Sequence, residues 1–293
     1  MWRLDELTKK ILSIELSSGR IIKSQEVPEL YRYFLGGRGL DQYYLYNLLD
    51  PATKPFDPEN PLIFGAGLLC GTPFPSATRI SIDSKNAFSG GVGSANAADG
   101  FSSALKRAGF GTVIIRGRSD KPAYLYITND TVQIRPASDI WGKTVAETVE
   151  TLRKAMVKTA DVACIGPAGE NLVRGACIMI NGSRAAAKCG LGAVMGSKNL
   201  KAIVVQGDGM VRVAKEKKFA SLCRKMWSKL KKSSSAQRMS SLGTKAAFKE
   251  RTPFARWHTG TFRTAMYRAW RDSTRKLLTA SSKKDVSAAR GAP

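Results

Sequence analysis

The chain changes character at Asp208, and that boundary limits what it can fold into. From Met1 to Asp208 there are 25 basic and 19 acidic residues, a net of +6. From Gly209 to Pro293 there are 22 and 4, a net of +18, and the two halves make up the formal +24. Taken whole, such a charge suggests a nucleic-acid binder. Located along the chain, it leaves a near-ordinary body and a basic tail. At 43% hydrophobic and 24% charged residues, the chain is foldable, which excludes wholesale disorder. No apolar run approaches the roughly 18–20 residues of a membrane span. The opening stretch MWRLDELTKKILSIEL has acids where a signal peptide needs basic residues, so a cytoplasmic protein is expected. Five cysteines without CxxC spacing (Cys70, Cys164, Cys177, Cys189, Cys223) argue for reduced thiols. They support neither a disulfide framework, nor structural zinc, nor a four-cysteine iron–sulfur set. The single histidine, His258, leaves no histidine-based triad or metal site to propose.

The body reads as strands in hairpins with interspersed helices, which favours an α+β fold over a regular βαβ wheel. Lys10–Leu16 and Arg20–Ser24 flank a glycine turn as a hairpin. Helices are expected over Glu29–Leu35, stopped by Gly36-Gly37, then over Leu40–Leu49 and Phe101–Ala108. Val145, Val149 and Leu152 place another over Thr144–Met156. Strands are expected at Pro61–Gly65, Thr78–Asp83, Thr112–Arg116, Ala123–Thr128, Thr131–Arg135, Val162–Ile165, Gly175–Ile180 and Lys201–Gln206. Gly90–Gly100 reads as a small-residue loop.

Four glycine loops could hold an anionic ligand: Gly36–Leu40, Gly91–Asn96, Gly166–Glu170 and Ser183–Gly196. Glycine permits φ > 0 and a close approach of backbone N–H groups to a ligand. None is a P-loop, and Gly190-Leu191-Gly192 lacks the third glycine of a dinucleotide fingerprint. For any one loop alone, a tight structural turn is the better reading. Arg79 and Arg184 are candidate phosphate clamps, with an ordinary surface arginine as the plain alternative.

Several long motifs in order carry a resemblance. Asp57-Pro58-Glu59-Asn60-Pro61-Leu62-Ile63-Phe64 is followed by Gly67-Leu68-Leu69-Cys70-Gly71-Thr72. Gly166-Pro167-Ala168-Gly169-Glu170-Asn171, Arg184-Ala185-Ala186 and Gly192-Ala193-Val194-Met195-Gly196-Ser197-Lys198-Asn199-Leu200-Lys201-Ala202 come after them. From about residue 3 to 208 this resembles the N-terminal domain of the tungsten-containing aldehyde ferredoxin oxidoreductases. The resemblance implies an internally duplicated, antiparallel-sheet α+β domain on which a tungsten bis-molybdopterin cofactor rests. It implies cofactor binding at Arg79, Asn96, Ala98, Arg184 and Ala185, with the backbone oxygens of Asn96 and Ala185 holding a Mg2+ ion between the pterin phosphates. Hard oxygen ligands suit that ion. Two positions depart from the family, which usually has glycine where this chain has Ala98 and often where it has Ala187. No catalytic acid or base is implied within this chain.

The expected organisation is therefore a tungstopterin-binding domain over 1–208, a remnant start of a second helical domain over 209–262, and a basic, helical or irregular tail over 263–293. Ala214–Leu230 reads as a helix, and Ser241–Thr244 and Thr259–Phe262 echo the family's second domain. The cysteines of the family's [4Fe–4S] cluster are absent, which is expected of a truncated or rearranged chain. Phe262, Met266 and Trp270 recur among arginines, so the tail is either a basic amphipathic helix or a non-native extension such as a frameshift product. By resemblance, the reaction is aldehyde plus water to carboxylic acid with electrons to ferredoxin. The isolated chain is expected to be inactive, and a homodimer or partner subunit would cover the exposed cofactor face. Two other readings stay open: the tungsten subunit of an anaerobic aromatic-ring reductase, and a nucleic-acid-binding protein acting through residues 209–293. The location of the charge weighs against the second.

Overall fold

The computed structural model describes residues 10–129, 131–156 and 159–243. They fall into two units, one ending at Ala220 and the other beginning at Ser221.

The first unit is built on two six-stranded sheets. One comprises β1 (Lys10–Glu15), β2 (Arg20–Gln25), β3 (Leu62–Ala66), β4 (Arg79–Lys85), β5 (Val92–Ala98) and β6 (Phe110–Arg116), in the order β2-β1-β6-β3-β4-β5. The other comprises β7 (Ala123–Thr128), β8 (Val132–Pro136), β9 (Asp161–Cys164), β10 (Ile178–Ile180), β11 (Arg184–Ala186) and β12 (Leu200–Gln206). Its order, β8-β7-β12-β9-β10-β11, repeats the first strand for strand. The pairing directions match too: β1–β6 and β7–β12 are parallel and every other pair is antiparallel. The expected α+β fold and internal duplication are both present. The sheets are mixed, however, and not antiparallel throughout. In each repeat the first and last strands lie side by side, and the long path between them lets both run the same way.

The helices repeat as well. Helices α1 (Arg38–Leu48) and α3 (Val145–Ala155) each follow the first hairpin of their repeat and pack on their own sheet, α1 on β3 and β4, α3 on β9. Helices α2 (Phe101–Arg107) and α5 (Leu191–Ser197) each precede the last strand and contact strands of both sheets. The largest apolar cluster fills this middle layer, with Phe64, Phe101, Leu105, Ile127, Leu191 and Ile203 from both repeats. Burying such side chains contributes about 1.5–3 kcal/mol each. Smaller clusters lie under α1 (Ile11, Leu45, Ile63, Ile114) and α3 (Val149, Leu152, Val162, Val204).

Local chemistry explains where the elements depart from expectation. The stretch expected as a helix over 29–35 is a 3-10 turn, Pro28–Arg32. Pro28 starts it, Tyr33 closes it, and Gly36 and Gly37, at φ +81° and +55°, turn the chain before α1. The small-residue stretch read as a loop contains β5, in which Gly93, Ala95 and Ala97 are buried and Ser94, Asn96 and Ala98 are half-buried. The alternation is that of a strand, carried by small residues. The Ser183–Gly196 loop likewise contains β11 and α5, and Gly166–Glu170 contains the short α4 (Pro167–Glu170). Helix α3 begins with a capping box: Thr144 Oγ1 accepts from the Glu147 N–H (3.4 Å), and the Thr144 N–H donates to Glu147 Oε2 (2.8 Å).

The expected helix over Ala214–Leu230 is present as α6 (Glu216–Lys232), followed by α7 (Ser234–Leu242), which Ser233 caps. The Thr259–Phe262 echo and the basic tail lie outside the described residues. Among those described, no helix is long and apolar enough to cross a membrane.

Candidate functional site

Strands β4 and β5 pair in the register Arg79↔Ala98, Ser81↔Asn96 and Asp83↔Ser94, which puts these side chains on one face of the sheet. The alternate residues Ile80, Ile82, Ala95 and Ala97 point into the core. At one end of the ladder the Asn86 N–H donates to the Gly91 carbonyl (2.7 Å); at the other the Asp99 N–H donates to the Thr78 carbonyl (3.2 Å). Hydrogen-bonded pairs alternate with open ones along an antiparallel ladder. The open pairs are therefore those of Ser94, Asn96 and Ala98, whose carbonyls point away from β4 along the free edge of β5. The Ser94 carbonyl accordingly accepts a weak contact from Cys189 Sγ at 3.9 Å.

That free edge lies against β11, its equivalent in the second repeat. Between them is a cleft of about 360 Å³ lined by Arg38, Ser94, Ala95, Asn96, Ala185, Ala187 and Lys188. Asn96 and Ala185 thus meet in one cleft. Arg79 is tied to it through a hydrogen bond from Nη1 to Asn96 Oδ1. Ala98 is the cross-strand partner of Arg79, and Arg184 is the exposed residue before Ala185 in β11. Four of the five candidates lie on the two facing edge strands, and Arg79 lies beside them on β4. Sequence reasoning did not single out Arg38 and Lys188, although both lie within the quoted glycine loops. Two cations line the cleft, two more flank it, and no acidic side chain is among its lining residues. This donor set suits phosphate oxygens.

The two family departures do not strain the backbone. Neither Ala98 nor Ala187 adopts a positive φ; the unusual conformations fall next to them, at Asp99 (φ 154°), Lys188 (φ 69°) and Cys189 (φ 60°). Such residues cost on the order of 1–3 kcal/mol each and persist where the surroundings over-determine them. Of these, Lys188 lines the cleft and Cys189 meets the Ser94 carbonyl on its far wall.

The other glycine motifs build the scaffold behind the cleft. A Cβ on Gly196 would overlap the Gly169 carbonyl oxygen, and one on Gly192 would overlap the Cys177 carbonyl oxygen. These glycines let α5 pack directly on α4 and on neighbouring backbone. The two lysines of the same motif are fully buried. Lys198 Nζ donates to the carbonyls of Pro58 (2.9 Å) and Gly117 (3.3 Å), and burial pushes its pKa down to about 7. Lys201 Nζ pairs with Glu170 and donates to the Lys143 carbonyl (2.8 Å), while Glu170 also accepts the Gly142 N–H (2.9 Å). Burial likewise raises the Cys164 thiol to about 12, so it is an inert core thiol.

Among the described residues, no group of three or more His, Cys, Asp or Glu side chains is placed to hold a metal ion. A metal at the cleft would have to be met by backbone oxygens and by the ligand's own donors.

The model of the aldehyde ferredoxin oxidoreductase N-terminal domain matches residues 11–207. The tungsten-containing aldehyde ferredoxin oxidoreductase of Pyrococcus abyssi is 46% identical over 224 residues, 76% of this chain and 37% of that protein. The WOR-like subunit of an aliphatic sulfonate oxidoreductase from Pyrococcus furiosus is 36% identical over 238 residues, 75% of this chain and 38% of that protein. Among solved structures, the active-site complex BamBC of benzoyl-coenzyme A reductase, bound to 1,5-dienoyl-CoA, aligns with a TM-score of 0.75 and 38% identity. The alignment covers 79% of this chain and 35% of that one. The chain thus spans little more than a third of the length of the relatives it matches.

Proposed function

Since the chain belongs to the aldehyde ferredoxin oxidoreductase family, we propose that it supplies the tungstopterin-binding base of a tungsten-dependent aldehyde oxidoreductase. The observation behind this reading is the cleft where the edge strands of the two repeats meet, with cations on its walls and the Asn96 carbonyl on a free strand edge.

The residues present fit a phosphate-bearing cofactor. Arg79 and Arg184 would neutralise its phosphates, with Arg38 and Lys188 as further cations within the same cleft. The backbone oxygens of Asn96 and Ala185 would ligate a Mg2+ ion shared with those phosphates, an all-oxygen environment of the kind magnesium takes. When bound, the tungsten bis-pterin would supply the two-electron oxidation of an aldehyde and water to a carboxylic acid. This chain's part is binding and orientation. Asn96 Oδ1 fixes the Arg79 guanidinium, and the scaffold lysines Lys198 and Lys201 hold the second repeat rigid behind β11. Electron transfer to ferredoxin through a [4Fe–4S] cluster would call on groups outside the described residues, as would the substrate pocket. A partner subunit or second copy over the cleft accords with relatives described as a subunit and as a complex. The five free cysteines accord with a reducing compartment such as the cytoplasm.

The test is the tungsten and pterin content of protein purified from a tungstate-supplied host. Tungsten with two pterins per metal supports the reading, and folded protein free of both refutes it. The likeness to the benzoyl-coenzyme A reductase complex sustains a second reading, the tungsten subunit of an aromatic-ring reductase. The higher identity to the aldehyde enzymes favours the first. Aldehyde-dependent viologen reduction, against reduction of an aromatic thioester, separates them in the assembled enzyme.

A further inference from the structure

Helix α6 presents a surface that the proposed function does not use. Over Glu216–Lys232 it carries seven basic residues and one acid, Glu216, so this helix alone contributes +6. Phe219, Leu222, Cys223, Met226, Trp227 and Leu230 fall at alternating spacings of three and one. At about 100° per residue, that spacing gathers them into one arc. Lys229 and Lys231 border the arc on its two sides, and the other basic residues lie across the polar face. Within the arc only Cys223 is buried. Phe219, Met226 and Leu230 are half-buried, and Phe219 stacks on Phe74 with ring centroids 6.3 Å apart. Leu222 and Trp227, at the two margins of the arc, are each 47% exposed. A helix held by packing within its fold turns its whole apolar stripe inward; α6 leaves both margins of its stripe open.

Charge constrains what can cover this face. The 50 residues after Gly243 carry 12 basic and 3 acidic side chains, a further +9, so α6 repels them. A second copy would set one +6 helix against another. The complementary occupant is anionic, and it has to take up leucine and tryptophan beside lysine. Nucleic acid meets the charge but leaves the exposed leucine in water. The headgroup region of a bilayer meets both: leucine and indole enter the acyl boundary, while lysines reach the lipid phosphates on their long stems. We propose that α6 lies along an anionic lipid surface, with Leu222 and Trp227 in the acyl boundary and the bordering lysines on the headgroups. The helix rests on the bilayer without crossing it, since no described helix is long and apolar enough to span one. No part of this attachment depends on the cofactor reading.

Sedimentation of the full chain with lipid vesicles tests the attachment. The probes are vesicles of phosphatidylcholine alone and vesicles in which phosphatidylglycerol makes up roughly a third of the lipid. Binding should be at least about tenfold tighter to the anionic vesicles, and should fall severalfold as salt rises from roughly 0.05 to 0.5 M. Leu222→Asp and Trp227→Ser change exposed side chains, so their circular dichroism should match wild type. Each should nonetheless weaken vesicle binding by about tenfold, whereas Leu222→Met, which keeps the apolar area, should bind like wild type. Equal binding to both kinds of vesicle, or none, overturns the proposal. So does Leu222→Asp binding anionic vesicles as wild type does, which would leave charge or another segment as the cause. Single-stranded RNA that displaces the vesicles and binds Leu222→Asp undiminished would overturn it in favour of nucleic acid. Self-association lost in Leu222→Asp, in protein that ignores vesicles, would overturn it in favour of a second copy. Protein free of tungsten and pterin that binds as expected would refute the cofactor reading alone.

Discussion

Asn96 and Ala185 line one cleft from the edge strands of two structural repeats, each strand the fifth of its repeat. Strand for strand the sheets are built alike, so the cleft is the place where two equivalent edges meet. A site of this kind takes matching contributions from both halves: an edge strand from each, and an arginine beside each.

Loss of either arginine should weaken cofactor retention. Arg79→Ala and Arg184→Ala are each expected to lower tungsten and pterin content severalfold without loss of secondary structure. Asn96→Ala should have a smaller effect. It removes the hydrogen bond that holds Arg79 but leaves the backbone carbonyl in place. Elemental analysis and pterin fluorescence on matched preparations check the ranking.

The Lys201–Glu170 ion pair is almost entirely dry, at 0% and 5% side-chain exposure. Removing one partner strands the other charge in the core. Lys201→Met is expected to cost about 3–5 kcal/mol. The double variant Lys201→Met/Glu170→Leu should recover part of that loss, because no unpaired charge remains. Urea denaturation of the three proteins measures it.

Lys198 gives the fold a pH signature. A neutral amine has two N–H groups for the two carbonyls it meets, and burial lowers its pKa from 10.5 to about 7. Its contribution to stability is therefore present above the unfolded value and is lost as pH falls through the folded one. Wild-type protein should gain on Lys198→Met as pH rises from about 7 towards 10, by at most about 1.4 kcal/mol per pH unit. Denaturation midpoints across that range test the slope, and an opposite sign would mean the amine is charged in the fold.

Gly196 and Gly175 make a matched pair. A methyl group at Gly196 meets the Gly169 carbonyl oxygen, whereas Gly175 has nothing within 4 Å and no positive φ. Gly196→Ala should destabilise by about 1–3 kcal/mol or more, and Gly175→Ala by less than about 0.5 kcal/mol. Thermal unfolding of the two variants decides whether the motif glycines serve packing.

Much of this was legible in the residues, and the exceptions have physical causes. The hairpins, α3 and most strands follow from periodicity. Strand β5 did not, because Gly93, Ala95 and Ala97 are small where a strand usually shows branched side chains; close packing in the core and against β11 leaves no room for larger ones. Arg38 was hidden by the glycines around it. Nothing in their motif signals that Lys198 and Lys201 are buried, since lysine is seldom fully buried, and only the folded chain shows the carbonyls and the carboxylate that receive them.

The central claim is that the cofactor's phosphates and their metal ion seat between Asn96 and Ala185. The most direct measurement is the anomalous scattering of manganese exchanged for magnesium in crystals of cofactor-loaded protein. The account predicts one manganese peak in the β5–β11 cleft, bonded to both backbone carbonyl oxygens at roughly the 2.1 Å of such a hard-cation site. A loaded protein whose manganese lies elsewhere, or binds neither carbonyl, would contradict it.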